Sequence, residues 1–413
     1  MKTQIRHFVL IALTIALGVV IFFYYSGQDN LVKKMEQVTP QLLEQYKVPG
    51  AALALVHNGE VVWSQGYGLA DKARGIPVTK DTVFQVASVS KAVTSWGVMR
   101  LVENGQLDLD APVEQYLTRW HLPPSSFDAS GVTIRRLLSH SAGLSVSGYD
   151  GLSPDQPLPS LEESLSGNNG GAGELRIVME PGTQFSYSGG SFTLLQLIIE
   201  EVTGETFSAY MQREVLDPLG MSHSSFEWQA DLRPATAVAY SESGSPLPNY
   251  LFTEQAAAGL YTTAPDLARF VAAEMPGPKG EPAGRGVLTP DTLALMSKPV
   301  IQIDGNKLGE GLGQGIATLP DGSKVIQHGG RNIGWNATIM ANPQWGVGVV
   351  VLTNSDNGTN LIGDVVWGKV LPQLIIERVL RILIFVLTLV ILVDATFIGV
   401  RWVKARSLAS QAK

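Results

Sequence analysis

Short β-prone runs stand at both ends of the central part of this chain, and helical patterns fill the interval between them. At the front, residues 51–56 and 61–65 are apolar and β-prone, and they flank His57-Asn58-Gly59-Glu60. Asn-Gly in that setting signals a hairpin turn. At the back, residues 337–341 and 346–353 form a second such pair around Asn342-Pro343-Gln344-Trp345. In the middle, residues 96–104 read as a helix with Val98, Met99, Leu101 and Val102 on its apolar faces. Residues 191–203 read as another, with Leu194, Leu195, Leu197, Ile198 and Ile199 on its buried side. This order predicts an α/β (α+β) fold. An antiparallel sheet forms from the N- and C-terminal strands, is flanked by helices, and has an all-helical region alongside. Residues 166–173, including Asn168-Asn169-Gly170-Gly171, read as a flexible, solvated loop. No repeat, charge block or long linker interrupts residues 30–377, which are expected to form one domain.

The two ends of the chain are more apolar than this domain. Residues 8–25 run for 18 positions without a charge, after Lys2 and Arg6. A signal-peptide core is shorter, roughly 7–15 residues, and Ser26-Gly27-Gln28-Asp29 lacks a small-residue cleavage pattern. Residues 1–29 are therefore expected to be a cytoplasmic tip and an uncleaved transmembrane anchor, with a signal peptide as the alternative. Residues 382–400 form a second run, interrupted only by Asp394. At mid-membrane an Asp costs roughly 2.5–3.5 kcal/mol, and each Leu, Ile, Phe or Val returns about 0.3–0.6. Fourteen such residues outweigh one Asp, so a C-terminal transmembrane helix is expected rather than a buried core helix. Arg401, Lys404, Arg406 and Lys413 make residues 401–413 a basic cytoplasmic tail, although Arg378 and Arg381 lie on the other side. Two spans with both ends inside place the domain outside the cytoplasm, at the plasma membrane. Asp394 is expected to face a partner helix, since acidic residues in spans avoid lipid.

Composition narrows the chemistry. Charged residues make up 16% of the chain, against about 25% for an ordinary soluble protein. The net charge of −7 argues against a nucleic-acid partner, which needs a basic face. With no cysteine there is no disulfide, thiolate metal site or cysteine nucleophile. The six histidines are scattered and no H-E-x-x-H occurs, so neither zinc nor another cofactor is expected.

The segment Phe84-Gln85-Val86-Ala87-Ser88-Val89-Ser90-Lys91 can carry chemistry. A helical pattern begins at or just after Ser88. Residues at i and i+3 share a helix face, so the Ser88 hydroxyl and the Lys91 amine can approach each other. A serine hydroxyl is a weak nucleophile until a neighbouring base removes its proton. A lysine serves as that base where burial or a nearby cation disfavours its charge. The helix start adds unpaired N–H groups and a positive dipole end, which suit a developing oxyanion. By itself S-x-x-K is weak, because it arises by chance and serine is a common helix N-cap.

Two further segments follow in order: Phe185-Ser186-Tyr187-Ser188-Gly189-Gly190, then His328-Gly329-Gly330-Arg331-Asn332-Ile333-Gly334-Trp335. With Ser88-x-x-Lys91 they resemble the penicillin-recognising serine hydrolases, which include class C β-lactamases, D-alanyl-D-alanine peptidases and related esterases. Gly66-Tyr67-Gly68-Leu69-Ala70-Asp71 resembles the family's second-strand exit. Residues 133–144, Asp217-Pro218-Leu219-Gly220-Met221 and Gly259-Leu260-Tyr261-Thr262-Thr263 are also similar to family segments. The resemblance covers roughly residues 35–360. It implies a β-lactamase/transpeptidase-like fold, Ser88 as nucleophile and Lys91 as its proton acceptor or electrostatic partner. Tyr187 matches the tyrosine of a Tyr-x-Asn motif that relays protons; a phenol, with a pKa near 10, acts as a base only beside cations such as Lys91. His328 stands where some relatives have the lysine of Lys-Thr-Gly. The backbone N–H groups of Ser88 and Arg331 would form the oxyanion hole. Gly329 and Gly330 would let a ligand approach the strand closely. One departure stands out: Gly189 occupies the place of the motif's asparagine, which bonds the lysine and the substrate's amide carbonyl. Its absence weighs against efficient β-lactam hydrolysis and leaves ester, peptide or other acyl substrates open.

Other signals are weaker. Gly143-Leu144-Ser145-Val146-Ser147 misses the last glycine of a nucleophile elbow. His140, in Ser139-His140-Ser141, reads as a structural residue at a helix end. Residues 309–315 are glycine-rich without a phosphate-loop lysine and read as a strand entrance. The Arg331 side chain is open between pairing with a substrate carboxylate and simple solvation. Two functions compete: a membrane-anchored hydrolase acting through an acyl-enzyme on an amide or ester bond, and a receptor that binds cell-wall peptides or β-lactams without turnover. The intact Ser88, Lys91 and Tyr187 set favours the enzyme.

Overall fold

The first hairpin forms where Asn-Gly places it. Strand β1 (Gly50–His57) runs into β2 (Glu60–Asp71) with His57 opposite Glu60. Asn58 and Gly59 have φ of 48° and 72°, the paired left-handed conformation of a two-residue turn that matches strand twist. The computed structural model describes residues 31–370 except residue 306, with a few isolated positions between 372 and 389. The expected anchor at 8–25 and most of the expected span at 382–400 lie outside the described residues. Among the described residues no helix is long and apolar enough to cross a membrane. The elements below belong to the unit Thr39–Ile362.

Seven further strands complete one antiparallel sheet: β3 (Ile76–Pro77), β4 (Ile301–Asp304), β5 (Leu308–Glu310), β6 (Gly315–Thr318), β7 (Lys324–Asn332), β8 (Trp335–Asn342) and β9 (Val347–Thr353). Their order across the sheet is β3-β2-β1-β9-β8-β7-β6-β5-β4. As expected, the first and last strands pair, from Ala51 opposite Thr353 to His57 opposite Val347. Strands β3 to β6 have no clear signal in the sequence; the glycine-rich stretch 309–315 runs from the end of β5 into β6.

Five helices matter for the site: α1 (Val89–Glu103), α2 (Ile134–Leu138), α3 (Gly189–Thr203), α4 (Gln255–Ala258) and α5 (Ala264–Ala273). The inner face of the sheet presents Ala52, Ala54, Ala337, Ala341 and Gly348, and these small residues let helices lie close. A Cβ on Gly348 would stand 2.4 Å from Val271 Cγ1 on α5. Helix α1 is wedged between the sheet and the helical region, so it is buried on nearly every side rather than along one stripe. Each fully buried Val, Leu or Met there contributes on the order of 1.5–3 kcal/mol. Residues 166–173 form no helix or strand, but they are tied rather than free. The buried Asn169 amide donates to the carbonyls of Ser164 (2.9 Å) and Gly173 (2.7 Å), and its oxygen accepts from the Gly173 N–H (3.1 Å).

Candidate active site

The short strand Phe84–Gln85 pairs with Tyr261–Thr262 and holds the entry to α1. The chain then turns at Ala87, a buried non-glycine residue with φ 50°. Such backbone costs on the order of 1–3 kcal/mol and clusters at functional sites. It delivers Ser88 to the first position before α1, partly exposed among buried neighbours. The Ser88 hydroxyl caps no helix N–H, so the plain N-cap explanation does not hold. Instead, Lys91 Nζ donates to Ser88 Oγ at 3.1 Å and to the Ala257 carbonyl of α4 at 2.7 Å. Lys91 is 2% exposed. Its ammonium stands 5.1 Å from the Tyr187 ring centroid and 5.7 Å from that of Phe192, within reach of the π-faces.

Tyr187 sits in the turn before α3, and its hydroxyl has no hydrogen-bond partner among the described residues. It is not the core tyrosine with a bonded hydroxyl that a structural role would call for. His140, just past the end of α2, holds this turn. The His140 carbonyl accepts from the Ser186 N–H at 2.7 Å, and its Nδ1 accepts from the Ser188 N–H at 3.2 Å. The residues on either side of Tyr187 are thereby held, and the imidazole lies against the Tyr187 ring, 4.3 Å between centroids at 36°. His140 itself has φ 52° and is 1% exposed. Burial, then the positive charge of Lys91, holds its pKa well below the usual histidine value, so the ring is neutral.

Strand β7 forms the opposite wall. Strand β6 pairs with it only from Lys324 to Gln327, so from His328 onward that edge has no strand partner among the described residues. Asn332 and Trp335 close a two-residue turn, and hydrogen-bonded pairs alternate along an antiparallel ladder. Counted from the turn, Gly329 and Arg331 direct their N–H and C=O groups to the open edge. The Asn332 amide donates to Gln85 Oε1 at 2.6 Å and clamps this strand to the nucleophile segment. His328 is buried, and its Nδ1 donates to the Gly329 carbonyl at 2.7 Å. Burial, followed by the charge of Lys91, lowers its pKa to about 4. It is therefore a neutral residue where the Lys-Thr-Gly pattern would put a cation.

The predicted residues do not all converge in the way expected. Ser88, Lys91, Tyr187, His328 and Gly330 come together. A Cβ on Gly330 would lie 2.1 Å from the Val86 carbonyl oxygen and 3.1 Å from Ser88 N. The nucleophile turn thus requires glycine at 330, a packing reason that the sequence does not show. Gly329 does face open space, with nothing within 4 Å of an added Cβ. The Arg331 side chain is exposed, on the face opposite His328 by strand alternation. Sequence reading assigned no site role to Ala257, Gln85 or Asn332, because only the tertiary fold brings them to Ser88.

A sheet closed by its terminal strands, with a serine and lysine one helical turn apart beside an open strand edge, defines the class. Residues 35–364 match the Beta-lactamase family model, and the chain belongs to the beta-lactamase family, penicillin-recognising serine hydrolases with a mixed α/β fold. It is 24% identical over 333 residues to Protein flp of Staphylococcus aureus (strain N315), covering 78% of this chain and 63% of that protein. It is 32% identical over 206 residues to Esterase EstB of Burkholderia gladioli, covering 48% of this chain and 52% of the esterase. The octameric penicillin-binding protein homologue from Pyrococcus abyssi superposes with a TM-score of 0.68 at 27% identity, over 79% of this chain and 74% of that one. The D-alanine carboxypeptidase AmpC from Burkholderia cenocepacia shares the fold, with a TM-score of 0.66 at 22% identity over 83% of this chain and 99% of that one.

Proposed function

We propose that the protein is a membrane-anchored serine hydrolase that cleaves an amide or ester bond through an acyl-enzyme on Ser88. The observation that carries this reading is the Lys91 Nζ held 3.1 Å from a Ser88 hydroxyl that caps nothing. Lys91 acts here as the free amine: as Ser88 Oγ attacks the carbonyl carbon, its proton passes to Lys91 Nζ, which becomes the ammonium. The N–H groups of Ser88 and Arg331, the latter on the open edge of β7, would receive the oxyanion. Tyr187 gives its phenol proton to the leaving group as the scissile bond breaks and is reprotonated by the Lys91 ammonium; a water then hydrolyses the ester on Ser88, its proton returning to Ser88 Oγ by way of Tyr187 and Lys91. A β-lactam, a D-amino-acid peptide and a simple ester all fit this chemistry. The esterase and carboxypeptidase among the similar proteins support the same class of reaction. No metal or other cofactor and no nucleic acid enters this scheme. The apolar segments 8–25 and 382–400 would hold the domain on the outer side of the plasma membrane.

The test uses the full chain in detergent, treated with a fluorophosphonate and weighed intact. One adduct on the parent and none on Ser88→Ala is the expected result. A folded parent that stays unlabelled would instead favour a binding protein without turnover. Orientation is checked separately, by protease added outside intact spheroplasts, which should digest the domain.

A further inference from the structure

Two segments that meet at Ser88 share no backbone ladder. The strand Phe84–Gln85 pairs with Tyr261–Thr262, while β7 pairs with β6 and β8. Among the described residues no backbone hydrogen bond joins residues 84–91 to residues 328–332. The polar link between them is a pair of buried side-chain amides. Asn332 Nδ2 donates to Gln85 Oε1 at 2.6 Å and, at the longer distance of 3.3 Å, to the Ala258 carbonyl. Gln85 Nε2 in turn donates to the Tyr261 hydroxyl at 2.8 Å and to the Tyr250 carbonyl at 2.9 Å. Both ends of the Gln85 amide are therefore engaged, one by β7 and the other by the segment that pairs with the nucleophile strand.

We infer that Gln85 is a positioning residue of the acyl-transfer site: its amide, bonded to Asn332, sets the separation of the Ser88 and Arg331 N–H groups that receive the oxyanion. This inference rests on the acyl-enzyme reading above. Asn332 directly follows Arg331, and Ser88 stands three residues beyond Gln85, past the left-handed Ala87. A Cβ on Gly330 would lie 3.1 Å from Ser88 N, so β7 rests against the peptide that carries the first donor. Two donors serve one oxygen only when both lie about 2.7–3.1 Å from it. Apolar contact is non-directional and does not fix the offset of the two segments at that precision. A hydrogen bond does, through its distance and angle. Tyr250 and Tyr261 hold the far side of the Gln85 amide, so it does not swing to follow β7. Separating the pair leaves buried polar groups without partners, at the cost of their desolvation, and this keeps the clamp shut.

The experiment measures, on the full chain, kcat and KM for p-nitrophenyl acetate, the affinity for phenylboronic acid, and urea unfolding. The boron of that acid takes up the Ser88 oxygen and becomes a tetrahedral anion, so its affinity reads the same two donors. Gln85→Met keeps the length of the side chain and removes the amide. It should lower kcat about 10²-fold with KM within about threefold, and weaken boronate binding by a similar factor. Asn332→Ala should do the same from the other side. The double variant should lose little more than either single one, because each removes the same bond. Gln85→Glu keeps an acceptor for Asn332 and should recover about tenfold of the loss. If folded Gln85→Met and Asn332→Ala keep kcat and boronate affinity within about twofold of the parent, this inference is overturned and the hydrolase reading stands. Lower stability with unchanged boronate affinity overturns it as well, and so do losses that add in the double variant. Should Gln85→Met fail to fold, Asn332→Ala and Gln85→Glu decide by the same readouts. If the parent shows no Ser88-dependent turnover, both readings fall together.

Discussion

His140 grips Tyr187 from three sides: its carbonyl holds the N–H of Ser186, its Nδ1 holds the N–H of Ser188, and its ring lies 4.3 Å from the phenol ring at 36°. The left-handed backbone of His140 makes this grip possible, because it turns carbonyl and imidazole toward the same turn. His140 is a positioning residue: it acts on the reaction through the placement of Tyr187.

His140→Ala should therefore lower kcat for p-nitrophenyl acetate about 10²-fold with KM little changed, the cost of misplacing a reacting group by about 1 Å. His140→Asn keeps a short acceptor and tolerates a left-handed backbone, and it should recover part of the loss. If alanine and parent have the same kcat, His140 serves packing alone.

Ser88→Ala and Lys91→Ala should each reduce kcat/KM by about 10³-fold or more while the protein stays folded. Lys91→Arg should not rescue activity. A planar guanidinium does not give up a proton, and the buried space beside the Ala257 carbonyl suits a single ammonium. Steady-state rates with circular dichroism as a folding control decide the point.

Two neighbouring glycines should respond in opposite ways. Gly330→Ala drives a Cβ against the Val86 carbonyl, and backbone on both sides leaves neither free to yield. Urea unfolding should show a loss of about 1–3 kcal/mol, accompanied by reduced labelling of Ser88. Gly329→Ala meets nothing within 4 Å, and its stability should stay within about 0.5 kcal/mol of the parent.

Buried Glu274 makes stability depend on pH. Its carboxyl makes no well-formed hydrogen bond among the described residues, and burial, opposed in part by the Trp96 indole, raises the pKa from 4.5 to about 7. The folded state holds this proton more tightly than the unfolded chain does. Its contribution is fully present below pH 4.5 and is lost as pH rises through 7. His328 works in the other direction: with a pKa of 6.5 lowered to about 4, its contribution is present above pH 6.5 and is lost as pH falls through 4. The two windows overlap and partly cancel in the parent, so variants are needed to separate them. Relative to the parent, Glu274→Gln should gain on the order of 3 kcal/mol between pH 4.5 and pH 8. A gain that does not change with pH would rule this out.

Several features of the fold were legible because their causes are local. Asn58-Gly59 marks the first hairpin by its left-handed preference. The apolar runs at 51–56 and 346–353 mark strands that do pair. The helix after Ser88 was legible as well, although α1 is buried all round and its apolar residues do not form the single stripe expected of a surface helix. Strands β3 to β6 are not legible because each is only two to four residues long, too short for a period-2 pattern to show. The sequence marks His140 as a structural residue, but nothing beside it in the chain shows that its ring is buried against Tyr187.

By itself, the sequence determined the order of strands and helices and the spacing that puts Ser88 and Lys91 on one turn, since these follow from backbone preference and periodicity within a few residues. The tertiary structure alone decided what surrounds them. Gln85 meets Asn332 across 247 residues and Lys91 meets Ala257 across 166. Those contacts exist only once the sheet closes and water is excluded, because burial and close packing belong to the whole chain and not to any short stretch of it.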